Sequence, residues 1–255
     1  MVNAGGILTI AKKECRIQLR YRVVWINFAL TPFFMLAPWV LTAKMFSPDF
    51  GEAVLVGSLM WYWLNQYFFG VQEAFEDERE EGTLISIALT PISLLEFLIG
   101  KGMWILVECV YITGVTMLIF WALGISQAIS PQMFAVYILS GLYTFAFSIL
   151  WGALVLQFRR IAGINFITQE ILGIASGVTA NINAYPRLMR TVAYILPLTY
   201  TIKIGREILL GRTFFEVLPD LAILTIITFL YFSIGTVLLK RAENNLRSMG
   251  GWEAW

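Results

Sequence analysis

The sequence predicts an all-α, polytopic membrane protein with six transmembrane helices. Three observations carry that reading. The 255 residues are 58% hydrophobic and 14% charged, with mean hydropathy +0.74, whereas a soluble domain carries about 25% charge. Apolar stretches of about 20 residues recur along the chain, the length that crosses a ~30 Å hydrocarbon core. The charges that remain gather in short blocks between those stretches, most densely over Glu76, Asp77, Glu78, Arg79, Glu80 and Glu81. A net charge of +1 gives no electrostatic support for nucleic-acid binding. Histidine is absent, which removes the commonest general base and metal ligand and weighs against a membrane metalloenzyme. Cys15 sits in a basic helix and Cys109 inside an apolar span, so no disulfide is expected.

The elements follow in order. Residues 1–22 lack a continuous apolar run, so no signal peptide is expected. They fit an amphipathic interfacial helix instead. At 100° per residue Lys12, Lys13, Arg16 and Arg20 fall in one stripe, and Ile7, Leu8, Ala11, Cys15 and Leu19 on another face. Such a helix lies along an anionic membrane surface. Residues 23–255 form a single six-span domain. Val23–Ala43 is the first span, with Pro32 and Pro38 expected to kink it. A turn over Ser47–Glu52 leads to span two, Ala53–Gln72, dense in aromatic and amide residues. The acidic stretch then runs into Gly82-Thr83, a short apolar helix from Leu84 to Leu89, and a stop at Thr90-Pro91. Ser93-Leu94-Leu95-Glu96 reads as a capping box before span three, Gly102–Ile125. Span four is Met133–Phe158 and span five Ile161–Ala184. Thr191–Ile202 is apolar but too short to cross and is broken by Pro197, so it reads as a re-entrant helical hairpin in the outer leaflet. Thr213 to Glu216 is a second candidate capping box, with Pro219 an alternative mark of the first helical turn. Span six is Pro219–Leu239.

Six spans place both termini on one side. Twelve of the eighteen lysines and arginines lie with the termini, the acidic stretch and the Arg159-Arg160 loop. The positive-inside rule therefore puts these in the cytoplasm. A charged knuckle over residues 76–92 between two spans suggests that something outside the bilayer grips it. The bland alternative is a solvated helix end.

The chain lacks its own motor. Around Gly100-Lys101-Gly102 the phosphate-cradling pattern fails, with Leu95 where the first glycine belongs and no Ser or Thr after the lysine. No Ser/His/Asp or Cys/His set exists either.

Glu78-Arg79-Glu80-Glu81-Gly82-Thr83-Leu84, then Thr90-Pro91, then Gly100-Lys101 at the head of a span resembles the permease subunits of ABC type-2 exporters, in their drug- and lipid-export branch. Pro197 through Arg206-Glu207-Ile208-Leu209-Leu210-Gly211 is similar to the segment before that family's last span. One departure is Ile85, where the family often has Glu. The resemblance implies a cytosolic coupling helix after span two that docks on a separate ATP-binding cassette ATPase, two copies serving a permease homodimer in the cell membrane. It implies no cofactor on this chain, with ATP and Mg on the partner. It assigns the coupling role to Glu78, Arg79, Glu80, Glu81, Gly82, Thr83, Leu84, Thr90 and Pro91.

Trp61, Asn65, Gln66 and Phe69 of span two, with Glu108 and Glu170, are candidates for the substrate path. Glu108 is about 20 Å along its span by helical rise, where a charge costs at least about 2.5–3.5 kcal/mol. A structural, hydrogen-bonded carboxyl is its other reading, and plain packing is that of the aromatics. Gly173 and Gly177 allow close helix approach, across a dimer axis or within the chain. The expected cargo is a hydrophobic or amphipathic small molecule or lipid. Export of a lipid-linked glycan stays open, as does a membrane-embedded lipid-acting enzyme.

Overall fold

The computed structural model describes residues 4–83, 86–87, 89–125, 130–156 and 162–249. Among these, every regular element is helical: α1 (Ala4–Leu19), α2 (Arg22–Phe46), α3 (Pro48–Glu80), α4 (Leu94–Ala122), α5 (Pro131–Val155), α6 (Ala162–Ala175), a 3-10 turn (Ile182–Ala184), α7 (Arg187–Ala193), α8 (Pro197–Leu209) and α9 (Leu218–Met249).

Four of these helices, α2, α4, α5 and α9, are both long and apolar enough to cross a membrane. The sequence expectation of six is not met by those two criteria together. Helix α3 has 33 residues, about 50 Å at 1.5 Å each, but its amides, indoles and phenols lower its apolarity. It can carry them because α2, α4, α5, α6 and α8 all pack around it. Trp63, Tyr67, Phe68 and Phe75 are fully buried. A helix enclosed by protein is not solvated by lipid, so polar groups on it are satisfied or left orphaned by its neighbours.

Several boundaries differ from the sequence reading, each for a local reason. The turn expected over Ser47–Glu52 shrinks to Ser47 alone. Its side chain accepts from the Phe50 N–H at 3.1 Å and Pro48 takes the first helical position, so the helix starts at once. The acidic residues to Glu80 are not a separate helix but the last turns of α3. Helix α4, by contrast, begins at Leu94 as the Ser93 box requires, ahead of the apolar span expected from Gly102: the Ser93 N–H donates to Glu96 Oε2 at 2.8 Å and the Glu96 N–H to Ser93 Oγ at 3.3 Å. Span five does not run to Ala184. Helix α6 stops at Ala175, and Gly177 turns the chain at φ 79°. The Gly177 N–H then bonds the Ile174 carbonyl and the Val178 N–H bonds the Gly173 carbonyl, a Schellman termination. Of the two readings of the stretch before α9, the Pro219 one holds, since the helix begins at Leu218 and Pro219 lies in its first turn; Thr213 and Glu216 form a local turn instead of a capping box, with the Thr213 N–H and hydroxyl both donating to Glu216 Oε2, at 2.6 and 2.9 Å. Helix α2 runs continuously through Pro32 and Pro38.

The bundle has two ends. At one, α1, the end of α3, the start of α4 and the end of α9 meet, and Glu243 of α9 accepts from the Leu94 N–H at 3.3 Å. At the other lie the α2–α3 and α4–α5 turns together with the 3-10 turn, α7 and α8. Between them, α5 and α9 approach closely: a Cβ on Gly235 would stand 2.7 Å from the Leu150 backbone nitrogen.

Candidate functional site

The knuckle begins where α3 leaves the core. Its last turn is capped by Glu81, whose N–H bonds the Asp77 carbonyl at 2.9 Å, and Gly82 turns the chain at φ 68° with open space around it. Only glycine takes that conformation without strain. Further on, the Ile87 N–H reaches the Thr83 carbonyl at 3.1 Å, and the Thr90 hydroxyl donates to the Ile87 carbonyl at 2.6 Å. Glu80, Glu81, Gly82, Thr90 and Pro91 are exposed, Arg79 and Thr83 half-buried, and Leu89 stands 83% exposed at the tip. Leu84 and Ile85 lie outside the described residues.

Glu78 is different. It is buried against α1, where the Lys13 ammonium approaches it at 3.1 Å and the Thr83 hydroxyl donates to its carboxylate. Burial alone would raise this carboxyl; Thr83 and Lys13 outweigh it and hold it below the ordinary carboxylate range. A second pair lies alongside: Lys101 of α4 meets buried Glu14 of α1 at 2.9 Å. Between the pairs, Ile10 is seated so closely on Gly100 that a Cβ there would come within 2.7 Å of it. The inward face of α1 thus centres on buried Ile10 and Glu14, with Ile7, Ala11 and Cys15 of the expected apolar face half-buried beside them, while Leu8 and Leu19 are exposed. Sequence reasoning missed both ion pairs, since their partners are 65 and 87 residues apart.

Deeper in the bundle, α3 meets α6. The Trp61 indole N–H donates to the Gln169 carbonyl at 3.0 Å, and a Cβ on Gly173 would lie 2.5 Å from the Trp61 nitrogen. Gly57 lies against Val178. As α3 descends, its partners on α6 run backwards, so the helices are antiparallel. Asn65 and Asn165, each one turn further along from this contact, therefore come to the same level. Both are buried and neither amide has a hydrogen-bond partner; the Gln169 side-chain oxygen is also unpartnered. Each orphaned group costs about 1–3 kcal/mol. A cavity of about 150 Å³ opens beside this seam, lined by Trp61, Glu170 and Gly173 together with Ser58, Trp39 and Val178. Three of the sequence candidates thus come together there. Gly173 and Gly177 both have intramolecular roles, one under Trp61 and the other ending the helix. Asn165 and Gln169 were missed. Their signal was present: amides at i and i+4 in an apolar stretch, opposite Ile164, Ile167, Ile171 and Ile174, which are all more than half exposed.

Gln66 and Phe69 are half-buried. Glu108 stands elsewhere, on the α2–α4 side, where it accepts the indole N–H of Trp104 one turn back. That indole lies edge-on to Trp25 at 6.1 Å, and the Tyr111 hydroxyl donates to the Trp25 carbonyl at 3.3 Å. The carboxyl is a hydrogen-bonded member of an aromatic cluster. Glu108→Gln keeps an acceptor for Trp104, so its thermal unfolding in detergent should stay within about 1 kcal/mol of the parent. Glu108→Leu should cost about 1–3 kcal/mol by orphaning the indole. Equal melting of the two variants would contradict this role.

Among the described residues no three Cys, Asp or Glu side chains are grouped as a metal site requires. Compared with curated proteins, the sequence has no match. The family model of the ABC-2 family transporter proteins matches residues 26–237, most of the chain and all of the knuckle, the α3–α6 seam and α8. The sequence resemblance, the helical bundle and this match agree: the chain belongs to the ABC-2 family of transporter proteins, as a membrane-embedded permease subunit.

Proposed function

We propose that the protein exports a hydrophobic or amphipathic small molecule or lipid, as a homodimer in the cell membrane. Two copies of a separate cytosolic ATPase would drive it through the knuckle over residues 76–92. The observation that supports this best is α3 itself. It runs from the knuckle into the most enclosed part of the bundle, and α1 pins its end to α4 through Lys13–Glu78 and Glu14–Lys101. Packed helices move as units, so force applied at the tip reaches the seam. The exposed Glu80, Glu81 and Leu89 supply acidic groups and one apolar anchor for a basic cleft on the ATPase. The termini and the knuckle are cytoplasmic on this reading, by the lysine and arginine distribution.

The seam supports the cargo class. Orphaned amides are costly where they are shut away and useful where they are opened to a polar headgroup. A 150 Å³ cavity, roughly five water volumes, suits a slender amphiphile better than a glycan chain.

The test is assembly. Reversing both charges, Arg79→Glu with Glu81→Lys, should reduce co-purification of the ATPase at least about tenfold and lower transport in step, while melting of the permease alone is unchanged. Full assembly and transport in that variant would refute the docking role.

A further inference from the structure

At the end of the bundle opposite the knuckle, a second cavity of about 210 Å³ lies between the end of α6, the 3-10 turn and α8. Its polar lining is incomplete. Ser176 and Thr199, 2% and 1% exposed, are part of that lining, and their buried hydroxyls have no hydrogen-bond partner. Arg206 forms no ion pair among the described residues; its guanidinium is held by two neutral carbonyls, Ala53 at 3.2 Å and Val178. One residue on, Glu207 spends one carboxylate oxygen on Arg212 at 3.4 Å, and its other oxygen is buried without a partner. Lys203, also in the lining, is already neutralised by Asp220 at 2.7 Å. The cavity thus offers one cation without an opposite charge and one carboxylate oxygen that the half-exposed Arg212 leaves without a donor, with two unpartnered hydroxyls beside them.

A buried cation without a counter-charge is expensive, as is a buried carboxylate oxygen without a donor, and a ligand that supplies the missing partners recovers that cost. A simple anion would satisfy Arg206 and oppose Glu207. A simple amine would do the reverse. We propose that the cavity binds a zwitterionic phospholipid headgroup, its phosphate on Arg206, Ser176 and Thr199 and its ammonium on Glu207. The size fits: the volume equals about seven waters at ~30 Å³ each, the bulk of a phosphoethanolamine group without its acyl chains. Leu210 on the rim is 79% exposed, as are Ile195 at 54% and Val192 at 52% on the neighbouring segment, leaving apolar surface for the chains. The role of this site as a reception point for cargo rests on the export reading; its existence as a binding site does not.

The experiment is calorimetric titration of the purified permease in detergent with dihexanoyl phosphatidylethanolamine, dihexanoyl phosphatidylglycerol and inorganic phosphate. The zwitterionic lipid should bind at least about tenfold more tightly than the other two. Glu207→Gln should abolish that preference, whereas Arg212→Ala, which leaves the carboxylate in place, should retain it. Thr199→Val combined with Ser176→Ala should weaken both lipids, with unchanged melting as the control for folding. Equal affinity for the two lipids, binding of phosphate as tight as the zwitterion, no binding at all, or a preference that survives Glu207→Gln would each overturn the proposal. ATPase co-purification is read separately: its success beside a failed titration removes this site alone, and its failure beside a successful titration removes the motor.

Discussion

Lys101→Met should cost the fold about 3 kcal/mol, seen as a clear fall in the melting temperature of the detergent-solubilised protein. The Lys101–Glu14 pair is nearly closed to solvent, with side chains 16% and 9% exposed. Removing one member of a buried pair leaves the other charge uncompensated, at about 3–5 kcal/mol; the lower end applies because the pair retains some exposure. The companion change Glu14→Gln, made in the Lys101→Met background, removes the stranded charge and should recover most of the loss. A double variant as unstable as the single would mean that the packing of the lysine stem, not its charge, matters. The same single variant should also loosen α1, since Lys13–Glu78 is then its one remaining ion pair to the bundle among the described residues, with a lysine already 54% exposed. Limited proteolysis within residues 4–19 should accelerate. The family match begins at residue 26, so α1 lies outside the matched part yet braces its most charged segment.

Gly235→Ala should be at least as damaging for its size, at about 2–3 kcal/mol. The added carbon would meet backbone atoms of Leu150 and Ile149 at 2.7 to 3.1 Å. A main chain inside a helix cannot swing aside as a side chain can, so α5 and α9 must separate; overpacking of this kind typically costs 1–3 kcal/mol. Gly114 is the control on a comparable helix. Nothing lies within 4 Å of its would-be Cβ, so Gly114→Ala should be neutral or gain about 0.5–1 kcal/mol from helix propensity. Melting curves of the two variants read the difference directly, and similar curves would remove the close-approach account.

How much of this was legible in the sequence depends on how local the cause was. Ser93 and Glu96 are three residues apart, and their box forms as the pattern requires. The apolar runs of α2, α4, α5 and α9 are continuous, and length alone identifies them. The acidic stretch was visible, but its continuity with α3 was not, because nothing between Gln72 and Glu80 stops a helix while the drop in hydropathy imitates a boundary. Span five misled for the opposite reason: the apolar character continues past Ala175, and the helix is ended by Gly177, one of two glycines that hydropathy treats alike. Gly173 serves packing and Gly177 serves the turn, a division that only the neighbours Trp61 and Val178 decide. For the candidate site, Trp61, Glu170 and Gly173 came together, while Glu108 proved to belong to a separate aromatic cluster. Glu14, Lys13, Asn165 and Gln169 were missed because each acquires its meaning from a residue at least 65 positions away, or from an absent partner.

Helix α3 has a consequence of its own. Arg206 grips it at the Ala53 carbonyl, near its first turns, and Lys13 grips it at Glu78, in its last. Between those holds there is no proline, and Gly57 and Gly70, where it might bend, are each jammed against a neighbour. A rod held in this way has no hinge of its own, so under the proposed coupling a tilt imposed at the acid end would swing the arginine end the opposite way as one rigid body.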